Sequence, residues 1–114
     1  DAGMNDLMRP ALYDAVHRIE PIQQSEAAVA KVNVVGPVCE STDVFAKNIA
    51  MPLPKEGDLL ALRTAGAYGA SLSNSYNSRL LIPEVMVRGN QFAIIRPRPS
   101  YEDMLRLELI PHWA

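Results

Sequence analysis

The chain has few of the residues on which specialised chemistry usually depends. It holds one cysteine, Cys39, in 114 residues, so no internal disulfide can form and a reducing, cytoplasmic setting is the default expectation. Its two histidines, His17 and His112, lie far apart with no ligand-spaced Cys or carboxylate group around them. That argues against zinc and leaves no metal expected. Positive charge is not in excess: 11 Lys and Arg stand against 13 Asp and Glu, a net charge of −2. The electrostatic case for a nucleic-acid partner is therefore missing. No apolar run approaches the roughly 18 residues of a membrane span, so no membrane partner is expected. There is no internal repeat or low-complexity segment, and no Ser-His-Asp grouping can be read from spacing. "GNQ" and "GAYG" fit neither common phosphate-binding fingerprint. The opening "DAGMNDLMRP" has no initiator methionine and no charged-then-apolar leader, and reads as a domain taken from a longer protein.

What is present suits a small globular domain. Hydrophobic residues make up 48% of the chain, and a chain of this length buries roughly two-thirds of its unfolded surface. Pro10 ahead of "ALYDAV" predicts a short helix with proline in its first turn. In "AVAKVNVVGPV", Ala30, Val32 and Val34 alternate with Lys31 and Asn33, the period of a half-buried strand. "MPLPKEGD" is a proline-punctuated connection, and "LLALRTA" reads as a strand with Leu60 and Leu62 on one face. "PEVMVRGNQFAIIRP" predicts a hairpin turning at Gly89-Asn90. Ser100 and Asp103 have capping-box spacing at the start of a final helix, "SYEDML". Short strands, proline-rich turns and a few short helices predict a mainly β fold, a barrel or sandwich.

Three clusters could carry chemistry, and each has a plainer reading. Arg9 and Tyr13 are four apart and share one helix face, but a surface Arg stacked on Tyr explains that spacing without a ligand. Cys39 at a strand end is more often a small hydrophobe than a reactive thiol, and Glu40 beside it is ordinarily solvated. Tyr68 in "AGAYGAS" could be a core tyrosine with a bonded hydroxyl, and Gly66 and Gly69 could serve only a turn. Taken together they offer more. Arg and Tyr suit a carboxylate and Glu suits an ammonium, so the set could hold a zwitterionic amino-acid end. A thiol, with its reference pKa of about 8.5, could donate a proton nearby.

The motifs "DAGMNDLMRPALYDAVH", "GPVCESTD", "GDLLALRTAGAYG", "SYNSR" and "SYEDML" occur in the order found in the C-terminal part of the diaminopimelate decarboxylases. The chain resembles that family over nearly its whole length. The resemblance implies an alanine racemase-like pyridoxal-phosphate enzyme that converts meso-diaminopimelate to L-lysine and carbon dioxide in lysine biosynthesis. It also implies that residues 1–114 form the C-terminal β domain, with the (β/α)8 cofactor domain outside this chain. By resemblance, Tyr68 places its hydroxyl on the cofactor phosphate and borders the substrate. Arg9 and Tyr13 grip the carboxylate at the unreactive end. Cys39 and Glu40 reach into the other subunit's site of a homodimer, Glu40 at the distal ammonium and Cys39 as the catalytic proton donor.

The chain departs from the family at Thr42, where relatives commonly have glycine, and at "LLIPE" after "SYNSR", where many carry proline and arginine. None of Lys31, Lys47 or Lys55 sits in the motif of the Schiff-base lysine, so this piece alone is expected to be inactive. Two alternatives remain. One is a related ornithine, arginine or carboxynorspermidine decarboxylase, whose members tend to have Asp at the position of Glu40 and lack the "RPALY" pairing. The other is a free-standing β module for dimerisation or binding.

Overall fold

The structure is a computed structural model describing Asp1–Ala114. Two compact units are distinguished, Asp1–Ser73 and Asn74–Ala114.

The first unit opens with a buried segment, Gly3 to Leu7, that turns on itself: the Gly3 carbonyl accepts from the Asp6 and Leu7 amides at 2.9 and 3.3 Å. Helix α1, Arg9–Tyr13, follows. Pro10 lies in its first turn, where a missing N–H removes no helical bond. The helix stops earlier than the "ALYDAV" pattern predicts. Asp14 adopts a left-handed φ of 53°, and its N–H donates to the Arg9 carbonyl, closing the last turn.

Strand β1, Ile19–Pro21, pairs antiparallel with β4, Leu60–Leu62, Ile19 facing Leu62 and Pro21 facing Leu60. Strands β2, Val29–Val35, and β3, Val44–Pro52, form the longest ladder. The predicted alternation in β2 is borne out, with Ala30, Val32 and Val34 half-buried and their neighbours exposed. β3 has no period-2 signature in the sequence. Its register jumps from Val32↔Ile49 to Val34↔Ala46 and again to Val35↔Val44, and the extra residues break the alternation that would mark a strand. Asn48 takes up one bulge at φ 57°, its N–H donating to the Asn33 side chain at 2.9 Å. Helix α2, Gly66–Leu72, closes the unit. Met4, Leu7, Val38, Phe45 and Met51 form the buried apolar core, with Asn5, Asp6, His17 and Asp43 buried among them.

In the second unit a 3-10 turn, Tyr76–Ser78, precedes the hairpin of β5, Glu84–Arg88, and β6, Gln91–Arg96. It turns where predicted, with Gly89 at φ 61°. Glu84 and Arg96 pair across it at 3.0 Å. Helix α3, Tyr101–Leu105, has the predicted capping box: the Ser100 hydroxyl accepts from the Asp103 amide, and the Asp103 carboxylate accepts from the Ser100 amide.

The fold is mainly β with short helices, as predicted. The strands make three separate two-stranded ladders, and no closed barrel forms among them. Proline is one reason: Pro21 and Pro52 end β1 and β3 and cannot donate to a further ladder. No helix is long and apolar enough to cross a membrane.

Candidate functional site

The β1–β4 ladder begins soon after α1 and ends just before α2, so its pairing returns the chain from the second helix to the first. Two long-range bonds fix that return. The Arg63 N–H donates to the Arg18 carbonyl at 2.8 Å, extending the ladder. The buried His17 sits with Nδ1 3.0 Å from the Arg63 carbonyl. A carbonyl only accepts, so Nδ1 carries the proton of this bond. Gly69 then lies against the N-terminal segment: a Cβ there would stand 3.7 Å from Leu7 Cδ1 and 3.8 Å from the Asp6 carbonyl oxygen.

This brings Arg9 onto Tyr68. The guanidinium carbon lies 5.3 Å from the centroid of the Tyr68 ring, within the range of a cation–π contact. The i, i+4 spacing pointed instead to Tyr13 as the ring beside Arg9. Tyr13 ends the same helix and is 62% exposed. Tyr68 is also 62% exposed, so it is not the core tyrosine that its small neighbours suggested. Its glycines lie in a helix rather than a turn, Gly66 at the first position and Gly69 buried one turn on. The resulting surface presents a flat cation and two phenols, a donor set suited to an anionic ligand.

Cys39 and Glu40 occupy a different element, the loop between β2 and β3. Cys39 is exposed, not a core residue. Glu40 Oε1 accepts from the Thr42 amide at 3.2 Å and from the Ser41 hydroxyl at 3.3 Å, so the carboxylate is turned over its own loop. Thr42 Oγ1 reaches Met4 Sδ at 3.7 Å. The loop is anchored beneath by Asp43, which the residue pattern did not single out. Its carboxylate accepts from the Met4 amide, 39 positions away, and from the Val38 amide, both at 2.7 Å. The only signal was its place at the end of "CESTD".

A family model described as pyridoxal-dependent decarboxylase, C-terminal sheet domain, matches residues 1–66. The diaminopimelate decarboxylase of Zymomonas mobilis is 50% identical over 113 residues, covering 99% of this chain and 27% of that protein. The crystal structure of diaminopimelate decarboxylase from M. jannaschii superposes with a TM-score of 0.93 at 37% identity, over 99% of this chain and 26% of that one. The Helicobacter pylori enzyme, solved in complex with L-lysine, gives 0.87 at 45% identity, over 95% of this chain and 27% of that one. The chain spans about a quarter of the length of the relatives it matches. With more than half of its residues inside the family match, and whole-chain likeness to enzymes of that kind, the chain belongs to the pyridoxal-dependent decarboxylases, in their C-terminal sheet domain.

Proposed function

We propose that this chain is the C-terminal part of a cytoplasmic diaminopimelate decarboxylase, which converts meso-diaminopimelate to L-lysine and carbon dioxide with pyridoxal phosphate. The observation that carries the reading is the Arg9–Tyr68 stack. It joins two residues that the family resemblance assigns to one site, although they sit on different helices. The L-lysine complex of the Helicobacter pylori relative supports the choice of product.

The residues present fit the cofactor's phosphate end. Tyr68 exposes its phenol beside a guanidinium, which suits a dianionic group. None of Lys31, Lys47 and Lys55 sits in the Schiff-base motif that the resemblance implies, so a covalent anchor would come from a cofactor domain outside this chain. Bound there, pyridoxal phosphate supplies an electron sink for the pair left when carbon dioxide departs.

This chain's share is binding, orientation and one proton. Arg9, held with its guanidinium carbon over the Tyr68 ring, takes the unreactive carboxylate through its N–H groups in a two-pronged contact, with the Tyr13 hydroxyl as a further donor. Glu40 takes the distal ammonium. As the bond to the leaving carboxylate breaks, the Cys39 thiol donates its proton to that carbon, and solvent returns a proton to the thiolate. Cys39 and Glu40 stand exposed or half-buried on a loop of their own, which suits reaching into a second subunit's site in a homodimer.

The test is made on the full-length protein carrying this chain. Lysine should form from meso-diaminopimelate in preference to any product from ornithine, arginine or carboxynorspermidine. Arg9→Lys should lower kcat/KM at least about 30-fold, since losing one partner of a desolvated charged contact costs roughly 2–5 kcal/mol. Preference for another substrate, or an unchanged kcat/KM in Arg9→Lys, would overturn the assignment. Full-length protein without decarboxylase activity would favour a non-catalytic β module.

A further inference from the structure

The loop from Gly36 to Asp43 shows Cys39 to solvent on one side and rests on a single carboxylate on the other. Asp43 is 3% exposed. Oδ1 accepts from the Met4 amide and Oδ2 from the Val38 amide, each at 2.7 Å, the length of charge-assisted bonds. Its backbone closes the same loop: the carbonyl accepts from the Gly36 amide at 2.9 Å, and the amide donates to the Glu40 carbonyl at 3.1 Å. One residue thus fixes the amide just before Cys39, the carbonyl of Glu40, the start of the loop and the N-terminal segment beneath it. Gly36 is moulded to this arrangement, since a Cβ there would collide with both carboxylate oxygens.

We propose that Asp43 is a positioning residue for the Cys39–Glu40 pair. It touches neither substrate nor cofactor. It sets where the thiol and the carboxylate point by pinning the backbone on both sides of them. The role rests on the reading above that Cys39 and Glu40 serve the decarboxylation. Both groups facing the side chain are N–H donors, so only an acceptor with two available oxygens satisfies them. Asparagine, of the same shape, turns an NH2 toward one of the amides and releases that side of the loop. Both reactive groups take their place from the backbone of this loop, and a misplacement of about 1 Å from such a change costs on the order of 10²-fold in rate.

The experiment uses the full-length enzyme with pyridoxal phosphate and meso-diaminopimelate. Asp43→Asn should lower kcat/KM on the order of 10²-fold. In a Cys39→Ala/Glu40→Gln background the same substitution should lower it by no more than about threefold, because the groups it positions are gone. Thermal midpoints should fall equally in both backgrounds. A purely structural role would instead reduce activity by the same factor in both, and that result overturns the proposal. Gly36→Ala, which keeps the carboxylate but displaces it, should repeat the background-dependent pattern. Hydrogen exchange on the unmutated enzyme needs no variant: the Met4 and Val38 amides should be protected, and exchange at open-loop rates overturns the clamp. Loss of activity in Cys39→Ala/Glu40→Gln with none in Asp43→Asn rejects the positioning role alone. Full activity in Cys39→Ala/Glu40→Gln rejects the underlying reading and the positioning role with it.

Discussion

Replacing Tyr68 by Phe removes one oxygen and keeps the ring on which Arg9 rests, whereas Tyr68→Ala removes both. The two variants therefore separate the proposed role of the hydroxyl in binding the cofactor from the proposed role of the ring in orienting the cation. A 5.3 Å approach to a ring that is 62% exposed gives a cation–π contribution of about 0.5–1 kcal/mol. A hydroxyl bonded to a charged phosphate contributes about 1.5–3 kcal/mol. At about 1.4 kcal/mol per factor of ten, Tyr68→Phe should weaken pyridoxal phosphate binding roughly 10- to 150-fold. Its stability should be unchanged, since an exposed oxygen is removed. Tyr68→Ala should show the same cofactor defect and in addition a higher KM for meso-diaminopimelate, because Arg9 loses its support. The assay is titration of the full-length apoprotein with pyridoxal phosphate, followed by steady-state kinetics at saturating cofactor. Wild-type cofactor affinity in Tyr68→Phe would refute the role of the hydroxyl. Identical KM values in Phe and Ala would refute the role of the ring.

Subunit sharing is tested by mixing two full-length variants of strongly reduced activity, Cys39→Ala and one lacking the cofactor lysine. If each site takes its thiol from one chain and its lysine from the other, random exchange makes about half the dimers mixed and restores on the order of a quarter of all sites. No recovery, with exchange verified, refutes the shared site. Two glycines should respond oppositely in thermal melts of the full-length protein. Gly36→Ala drives the Asp43 carboxylate off the Met4 and Val38 amides, at about 1–3 kcal/mol for each donor left unpaired. Gly69→Ala meets only ordinary contacts at 3.7 and 3.8 Å and gains up to about 1 kcal/mol of helix propensity. Equal melting points would refute the close-approach account of Gly36. The Ser100 backbone and side-chain bonds hold the Asp103 carboxyl below the usual aspartate value. Its contribution to the α3 cap is therefore present above the ordinary pKa and is lost as pH falls through the depressed one. Carboxyl-carbon NMR should find Asp103 titrating below ordinary aspartates, and a midpoint at or above them counts against the cap.

How much could be read from the residues depended on the range of the interaction. The Gly89-Asn90 hairpin, the Ser100–Asp103 box and the alternation of Val29–Val35 are local patterns, and all three stand in the structure. β1 escaped because three residues show no period, and only pairing with β4 makes them a strand. β3 escaped because its bulges break the alternation. α2 escaped because glycine opens it and recurs in its middle, and glycine is a poor helix former. The candidate site divides the same way. Cys39 and Glu40 are neighbours in sequence and share a loop in space. Arg9 was readable as a cation on a helix, but its ring partner was not, because spacing along one helix cannot reveal a contact with Tyr68 of another. Asp43 ends the "CESTD" motif but shows no role in sequence, since one of the amides it binds lies 39 positions away.

That division has a physical consequence for the site. Helices α1 and α2 have 5 and 7 residues, well below the roughly 12–15 at which an isolated helix becomes marginal in water. Neither helix can hold Arg9 or Tyr68 in place by itself. Their positions derive from long-range bonds, chiefly His17 to the Arg63 carbonyl and the Arg63 amide to the Arg18 carbonyl. The Cys39–Glu40 loop likewise takes its shape from Asp43 and the Met4 amide rather than from any regular element. Site geometry and tertiary folding are thus coupled. A substitution that loosens the N-terminal segment at Met4 to Leu7 should disturb both halves of the site together, because Asp43 is tied to that segment and Gly69 rests on it.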